Sequence, residues 1–452
     1  MELPRHIFRE YDIRGLVGEE LQPGSYRQIG AALGARFLAE GAREAVIGHD
    51  NRLHSPELYQ ALSEGIRSTG LDVLGLGLLP TPALYYALAR REGGCGAVVT
   101  ASHNPPEYNG LKIVSGGMAL SGDAIRSLRD EAMGPLPEGD GAWREDDILD
   151  EYVGNLLGNL KTERPVRVVV DCANGTAGTV ARRLFEGLDA RAEFLYEEPD
   201  GTFPNHPADP VVEANLQDLI VQVRRSGAEL GIAFDGDSDR LGVVDAEGRI
   251  LWGDQLLALY SRSLLKEHPG AKVIFEVKCS RALAEDIRAH GGEPLLWKTG
   301  HSLIKAKMKE EKALLAGEMS GHLFFADRYY GFDDALYAAG RLLEILSKSD
   351  ISLGEMLSDL PHYESTPEMK IACPDDQKFE IVEALRKKLA GKHNVIDIDG
   401  VRLEMPEAWG LVRASNTSPV LVLRFEGRDQ DSLDEVRELV MAELETLLPE
   451  EG

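Results

Sequence analysis

Strand-like and helix-like segments alternate along most of this chain, and that alternation constrains its fold more than any other feature. Residues 45–48 are a short apolar run with β-branched members, and Ser55-Pro56 after it is a helix cap with a first-turn proline. Residues 71–75 repeat the strand pattern, Thr81-Pro82 starts a helix through about Arg91, and residues 96–100 form another buried strand. A second series opens at residues 166–171, with a helix near 177–185. A third opens with a helix at 254–265 and a strand at 272–276. Strands spaced by helices favour parallel-leaning sheets, which bind ligands at the loops beyond their carboxyl ends.

After about Pro367 the pattern changes. A helix at 376–389 precedes strands at 395–398 and 401–404 around an Asp399-Gly400 turn. Two further strands flank residues 413–419, and an amphipathic helix at about 433–448 follows. This reads as an α+β module with antiparallel strands. The Gly-, Pro- and acid-rich stretch 134–147 reads as a boundary or exposed excursion. A chain of 452 residues is too long for one core. The expected class is α/β, with three strand–helix mixed-sheet domains at 1–148, 149–252 and 253–367 and an α+β domain at 368–452.

Four loops carry the chemistry. Thr100-Ala-Ser-His-Asn-Pro-Pro106 puts Ser102 on a proline-stiffened turn at a strand end, where a nucleophile can work. Asp235-Gly-Asp-Ser-Asp-Arg240 sets carboxylates at alternate positions, and these repel one another unless a cation neutralises them. Such oxygen donors suit Mg²⁺ or Ca²⁺. An EF-hand is excluded, because its glycine and glutamate positions hold Arg240 and Ala246 and the flanks read as strands. In Gly317-Glu-Met-Ser-Gly-His322, an extended backbone would aim Glu318, Ser320 and His322 to one side. A carboxylate beside a hydroxyl matches the vicinal hydroxyls of a sugar, and a histidine can titrate near neutrality. Arg413-Ala-Ser-Asn-Thr-Ser-Pro419 is an arginine followed by small donors, a phosphate cradle.

Together the four loops, in this order, resemble those of the α-D-phosphohexomutases, and Phe8-Arg-Glu-Tyr-Asp-Ile-Arg-Gly15 looks like that family's amino-terminal signature. Met319 and the Arg-x-Ser-Asn-Thr pattern at Arg413 resemble the phosphomannomutase/phosphoglucomutase branch. The resemblance implies four domains around a central cleft, each lending one loop. It implies a phosphoserine at Ser102 and Mg²⁺ on Asp235, Asp237, Asp239 and a phosphoserine oxygen. Arg240, Lys278, His301, Glu318 and Ser320 become substrate contacts, and Arg413, Ser415, Asn416 and Thr417 hold the non-reacting phosphate. His322, Lys112 and Arg14 are the acid/base candidates. The expected reaction interconverts mannose or glucose 1- and 6-phosphates through a glucose or mannose 1,6-bisphosphate. A phosphoglucosamine mutase and a metal-dependent sugar phosphatase are the alternatives.

Bulk properties fit. The net charge of −27 and the lack of a basic stripe argue against nucleic acid. Screening over about 8 Å leaves a phosphosugar governed by local cations. The four cysteines, without a CxxC and each in or beside an apolar run, point to a reducing compartment. With no signal peptide or membrane span, the expectation is a cytoplasmic monomer or small homo-oligomer.

Overall fold

The computed structural model describes residues 2–91, 93–416 and 418–448, which build four sheets in chain order. In the first, Cys95–Val99, Glu44–His49 and Asp72–Leu78 pair in parallel, and Tyr108–Ser115 returns antiparallel to Cys95–Val99. In the second, Arg191–Leu195, Arg167–Asp171 and Leu230–Phe234 are parallel, and Leu241–Asp245 returns antiparallel. The third repeats the scheme with Glu293–Trp297, Lys272–Glu276 and Leu315–Gly317, closed by antiparallel Leu323–Phe325. The fourth is antiparallel throughout, around the pair Ala408–Ala414 and Val420–Gly427.

The first three sheets are therefore mixed, and the mixing decides where chemistry can sit. In each of the first three, a parallel strand turns straight back into an antiparallel neighbour. Each of those turns is one of the loops singled out above, and the fourth loop closes the central hairpin of the last sheet. A return of this kind is held by ladder hydrogen bonds on both sides, so its side chains start from a fixed backbone.

One buried apolar cluster runs without interruption from Val46 to Leu357 through the first three units. The other face of the first sheet has its own cluster, beneath the helices Pro23–Ala39 and Ser55–Arg67. Those helices approach so closely that a Cβ on Gly65 would lie 2.0 Å from the Arg27 carbonyl oxygen. The last unit keeps a separate core from Cys373 to Leu444. It docks on the third through Arg402, which donates to the carbonyls of Val277 (2.6 Å) and Cys279 (3.2 Å) while lying 3.7 Å above the Trp409 ring.

Two local details are added. The stretch 134–147 is mostly exposed, as expected, but is pinned to the first unit: Gly139 and Gly141 donate to the Ser68 and Arg67 carbonyls at 2.8 and 2.9 Å. Trp143–Glu145 then adds a parallel edge strand to Asp72–Leu78. The helix near 177–185 is divided into a 3-10 turn, Thr176–Thr179, and a helix, Ala181–Gly187. The four cysteines are buried and unpaired. No helix of the described residues is long and apolar enough to cross a membrane.

Candidate active site

Ser102 is buried at the end of Cys95–Val99 with φ of +51°, a left-handed conformation that costs a non-glycine residue energy and marks a constrained loop. Its amide donates to Thr100 Oγ1 at 2.9 Å and its hydroxyl to Asp235 Oδ2 at 2.7 Å. The loop is held from below by Arg52. This fully buried guanidinium donates to the carbonyls of Ser102 (2.8 Å), Asn104 (2.6 Å), Pro105 (2.6 Å) and Tyr108 (3.2 Å). Asp50 faces Arg52 Nε at 3.1 Å. Above the loop, Arg14 donates to Asn104 Oδ1 at 2.7 Å and pairs with Asp12. His103 Nδ1 lies 3.1 Å from Ser102 Oγ. Burial, then Arg240 and Arg14, push the His103 pKa well below the usual imidazole range, so its ring is neutral.

Asp235, Asp237 and Asp239 lie on the turn between Leu230–Phe234 and Leu241–Asp245, all fully buried. Each offers an oxygen within 4.8 Å of the others'. Ser238, between two of them, takes a left-handed φ of +68° and bonds Thr176 Oγ1 at 2.9 Å, away from the carboxylates. Asp235 is pushed well above the usual carboxylate range by burial and by Asp239 and Asp237. Lys112 partly relieves the charge from the neighbouring unit, with Nζ 2.6 Å from Asp237 Oδ2 and 2.5 Å from Asp239 Oδ2. Burial opposes the charge on Lys112, but Asp237 and Asp239 outweigh it and hold its pKa well above the ordinary value. Asp237 Oδ1 remains buried without a hydrogen-bond partner among the described residues, and Asp239 Oδ1 has only His322 Nε2, at 3.3 Å. Buried carboxylate oxygens left bare are costly, and a hard divalent cation satisfies them. The donor set fits Mg²⁺.

The Glu318 loop is not extended as expected. Gly321 N–H bonds the Glu318 carbonyl at 3.1 Å, closing a tight turn, and a Cβ on Gly321 would stand 2.4 Å from the Leu241 carbonyl oxygen. The three side chains converge even so. Ser320 Oγ lies 3.3 Å from Glu318 Oε2 and 2.9 Å from His322 Nδ1. Glu318 Oε1 accepts the Gly300 N–H at 2.6 Å. His322 lies between Glu318 Oε2 at 2.8 Å and Asp239 Oδ1 at 3.3 Å. The expectation that it titrates near neutrality is overturned. Burial alone would lower its pKa, but Asp239 and Glu318 push it up to about 9.

His301, first residue of the helix His301–Glu311, stacks on His322 with ring centroids 5.5 Å apart. Lys278 pairs with Glu368 at 3.1 Å, and Arg240 faces Asp209 at 4.0 Å. In the last unit Arg413 is paired with Asp399 at 3.1 Å, and the Asn416 amide donates to the Tyr11 hydroxyl at 2.5 Å. Tyr11 in turn donates to the Thr299 carbonyl at 2.6 Å, joining the first, third and fourth units. Ser415 Oγ accepts the Ser418 N–H at 3.1 Å, and Thr417 lies outside the described residues.

One cleft of about 910 Å³ receives all four loops. Ser102, Lys112 and Arg14 line it from the first unit and Arg240 from the second. Lys278, His301, Glu318, Ser320 and His322 come from the third, and Arg413, Ser415 and Asn416 from the fourth. Sequence reasoning passed over Arg52, Thr81, His103 and Tyr11. Thr81 donates to Asp237 Oδ2 at 2.6 Å and so takes the oxygen that Lys112 shares. His103 and Tyr11 stand inside motifs already quoted. Arg52 had a readable signal in Asp50-Asn-Arg52, which follows a strand as Ser102 does.

Models of the phosphoglucomutase/phosphomannomutase family match the chain four times. Its alpha/beta/alpha domain I matches residues 5–133, domain II 150–248, domain III 252–363, and the C-terminal domain 368–443. A phosphomannomutase/phosphoglucomutase of Pseudomonas aeruginosa is 47% identical over 447 residues, covering 98% of this chain and 96% of that protein. A phosphoglucomutase of Neisseria meningitidis is 44% identical over 452 residues, covering 98% of each. The crystal structure of a phosphoglucomutase/phosphomannomutase family protein from Burkholderia thailandensis superposes with a TM-score of 0.93 at 43% identity, over 99% of both chains.

Proposed function

The chain belongs to the phosphoglucomutase/phosphomannomutase family, and on that premise we propose that it interconverts the 1- and 6-phosphates of glucose and mannose through a phosphoserine at Ser102. The observation that carries the reading is Ser102 Oγ, 2.7 Å from Asp235 Oδ2, in the cleft that the sugar and phosphate loops also line.

Asp235, Asp237 and Asp239 would hold Mg²⁺, whose charge offsets that of the phosphoryl group in transfer. The remaining work falls to the chain's own side chains. Arg413, Ser415, Asn416 and Thr417 grip the phosphate that is not reacting, while Glu318 and Ser320 take the sugar hydroxyls. Arg240, Lys278 and His301 complete the contacts. Transfer breaks the bond from phosphorus to Ser102 Oγ and forms one to the free sugar oxygen, and the hydroxyl proton passes finally to Oγ. Without the metal, Asp237 and Asp239 raise the pKa of Lys112, and Asp239 and Glu318 raise that of His322, which suits both to give a proton. Arg14, through Asn104, keeps the Ser102 loop in register with them.

The resulting 1,6-bisphosphate turns over within the cleft and returns its other phosphate to Ser102. A phosphatase would need neither a sugar loop nor a separate phosphate clamp. Incubation with glucose 1-phosphate tests the reading: glucose 6-phosphate should form without stoichiometric inorganic phosphate. The active protein should carry phosphate on the Ser102 peptide, and Ser102→Ala should lose nearly all activity. Release of inorganic phosphate alone, or full activity in Ser102→Ala, refutes it.

A further inference from the structure

A second cavity, of about 520 Å³, lies along the seam between the first and third units and shares no lining residue with the cleft. Tyr85, Leu88 and Val114 wall it from the first unit, and Met308, Leu314 and Phe332 from the third. Tyr330 lines it too, 43% exposed, with its ring parallel to that of Phe332 at 5.8 Å. In a chain of net charge −27, the charged residues lining this cavity are Lys305, Lys309 and Lys312, with no carboxylate among the described residues. Their spacing along and just past the helix His301–Glu311 puts all three on one face. Lys305 is engaged, 2.7 Å from Asp333 Oδ1 and 4.2 Å above the Tyr85 ring. Lys309 Nζ has only the Met118 sulfur, at 3.7 Å, and the Lys312 ammonium has no partner among the described residues. Lys312 also holds a left-handed φ of +53° at the helix end, a position that glycine fills at lower cost.

We propose that this cavity binds an amphipathic monocarboxylate, a medium-length hydrocarbon body whose carboxylate rests on Lys309 and Lys312. A concave, mostly apolar wall with a few charges of one sign takes a ligand of matching polarity. The glycine amides of the lining are spent within the chain, Gly117 on the Gly94 carbonyl at 2.9 Å and Gly331 on the Phe325 carbonyl at 2.8 Å. A base or a sugar would bury polar groups that these amides cannot satisfy, whereas a hydrocarbon body brings none. Met118 and Met308 have unbranched side chains that adapt to a flexible occupant. A carboxylate gains charge-assisted hydrogen bonds from the two lysines, and the same lysines reject a cationic amphiphile. The helix His301–Glu311 begins at the cleft and ends at this cavity, so the two sites are neighbours without overlapping.

Calorimetric titration of the full chain with decanoate reads binding without activity. One decanoate per chain is expected, held about tenfold or more tighter than butyrate, decan-1-ol or decyltrimethylammonium. Lys309→Gln combined with Lys312→Gln changes two exposed side chains and should weaken decanoate about tenfold. Should that variant misfold in a thermal scan, Ala119→Trp, which narrows the cavity from the first unit, supplies the same titration. Saturating glucose 1,6-bisphosphate should leave decanoate affinity within about threefold, because cleft and cavity are lined by different residues. Uptake of many decanoates without saturation, equal affinity for decan-1-ol, wild-type affinity in the folded variant, or displacement by the bisphosphate overturns the proposal.

Discussion

Arg52→Lys should separate the shape of the Ser102 loop from its chemistry. The guanidinium spends all its donors: four go to the carbonyls of Ser102, Asn104, Pro105 and Tyr108, and Nε goes to Asp50. A lysine ammonium has three donors gathered at one point, so at least two of these contacts are lost. A buried carbonyl left unsatisfied costs about 1–3 kcal/mol, which places the loss at about 2–6 kcal/mol if the loop cannot move. The loop has a cheaper course, which is to shift until water or the ammonium reaches the orphaned carbonyls. A displacement of about 1 Å at a reacting group costs about a hundredfold in rate. The expected outcome is a kcat for glucose 1-phosphate lowered about a hundredfold with KM within about threefold of wild type, because the sugar and phosphate loops sit on other units. Steady-state kinetics with added glucose 1,6-bisphosphate measures both, and urea unfolding measures the stability. A variant that loses stability yet keeps wild-type kcat would refute the reasoning, since Arg52 would then only fill space.

Asp237→Asn should lower kcat about a hundredfold or more and weaken the Mg²⁺ dependence, read from activity against Mg²⁺ concentration. Arg413→Ala should raise KM for glucose 1-phosphate about tenfold, equivalent to about 1.4 kcal/mol, and make sustained turnover depend on added bisphosphate. His206 faces Asp171 Oδ2 at 3.0 Å. Burial works against its charge, but Asp171 outweighs burial and raises its pKa above 6.5. The folded state therefore favours the protonated ring. Its stabilising contribution is full below the ordinary histidine pKa and vanishes as pH rises through the raised one. An NMR titration should give a ring midpoint above 6.5 that drops in Asp171→Asn.

Legibility in the sequence tracked how local the determinants were. The strand Lys272–Glu276 was read to the residue, because a β-branched run bounded by polar residues needs no distant partner. The short strand Trp143–Glu145 was not: an edge strand this brief in an acidic, proline-rich stretch shows no period, and the bonds that pin the stretch lie on Ser68 and Arg67. The same division holds in the cleft. Ser102 and the aspartates were legible because spacing within one turn defines them. The charge state of His322 was not, since Asp239, which raises its pKa, is far away in the sequence. Arg52 escaped notice because its partners are mostly backbone carbonyls, which no side-chain pattern reports.

The division of apolar clusters also bears on how the chain is made. The cluster from Val46 to Leu357 cannot be completed until most of the polypeptide has left the ribosome, so the first three units mature together. The segment holding Cys373 to Leu444 follows these units in the sequence and carries an independent core. Its Arg402 is seated against the carbonyls of Val277 and Cys279, beside Lys278, and that contact fixes the unit whose Arg413 lines the cleft. A chain truncated before this segment should keep the apolar cluster of the first three units yet lack Arg413 in the cleft.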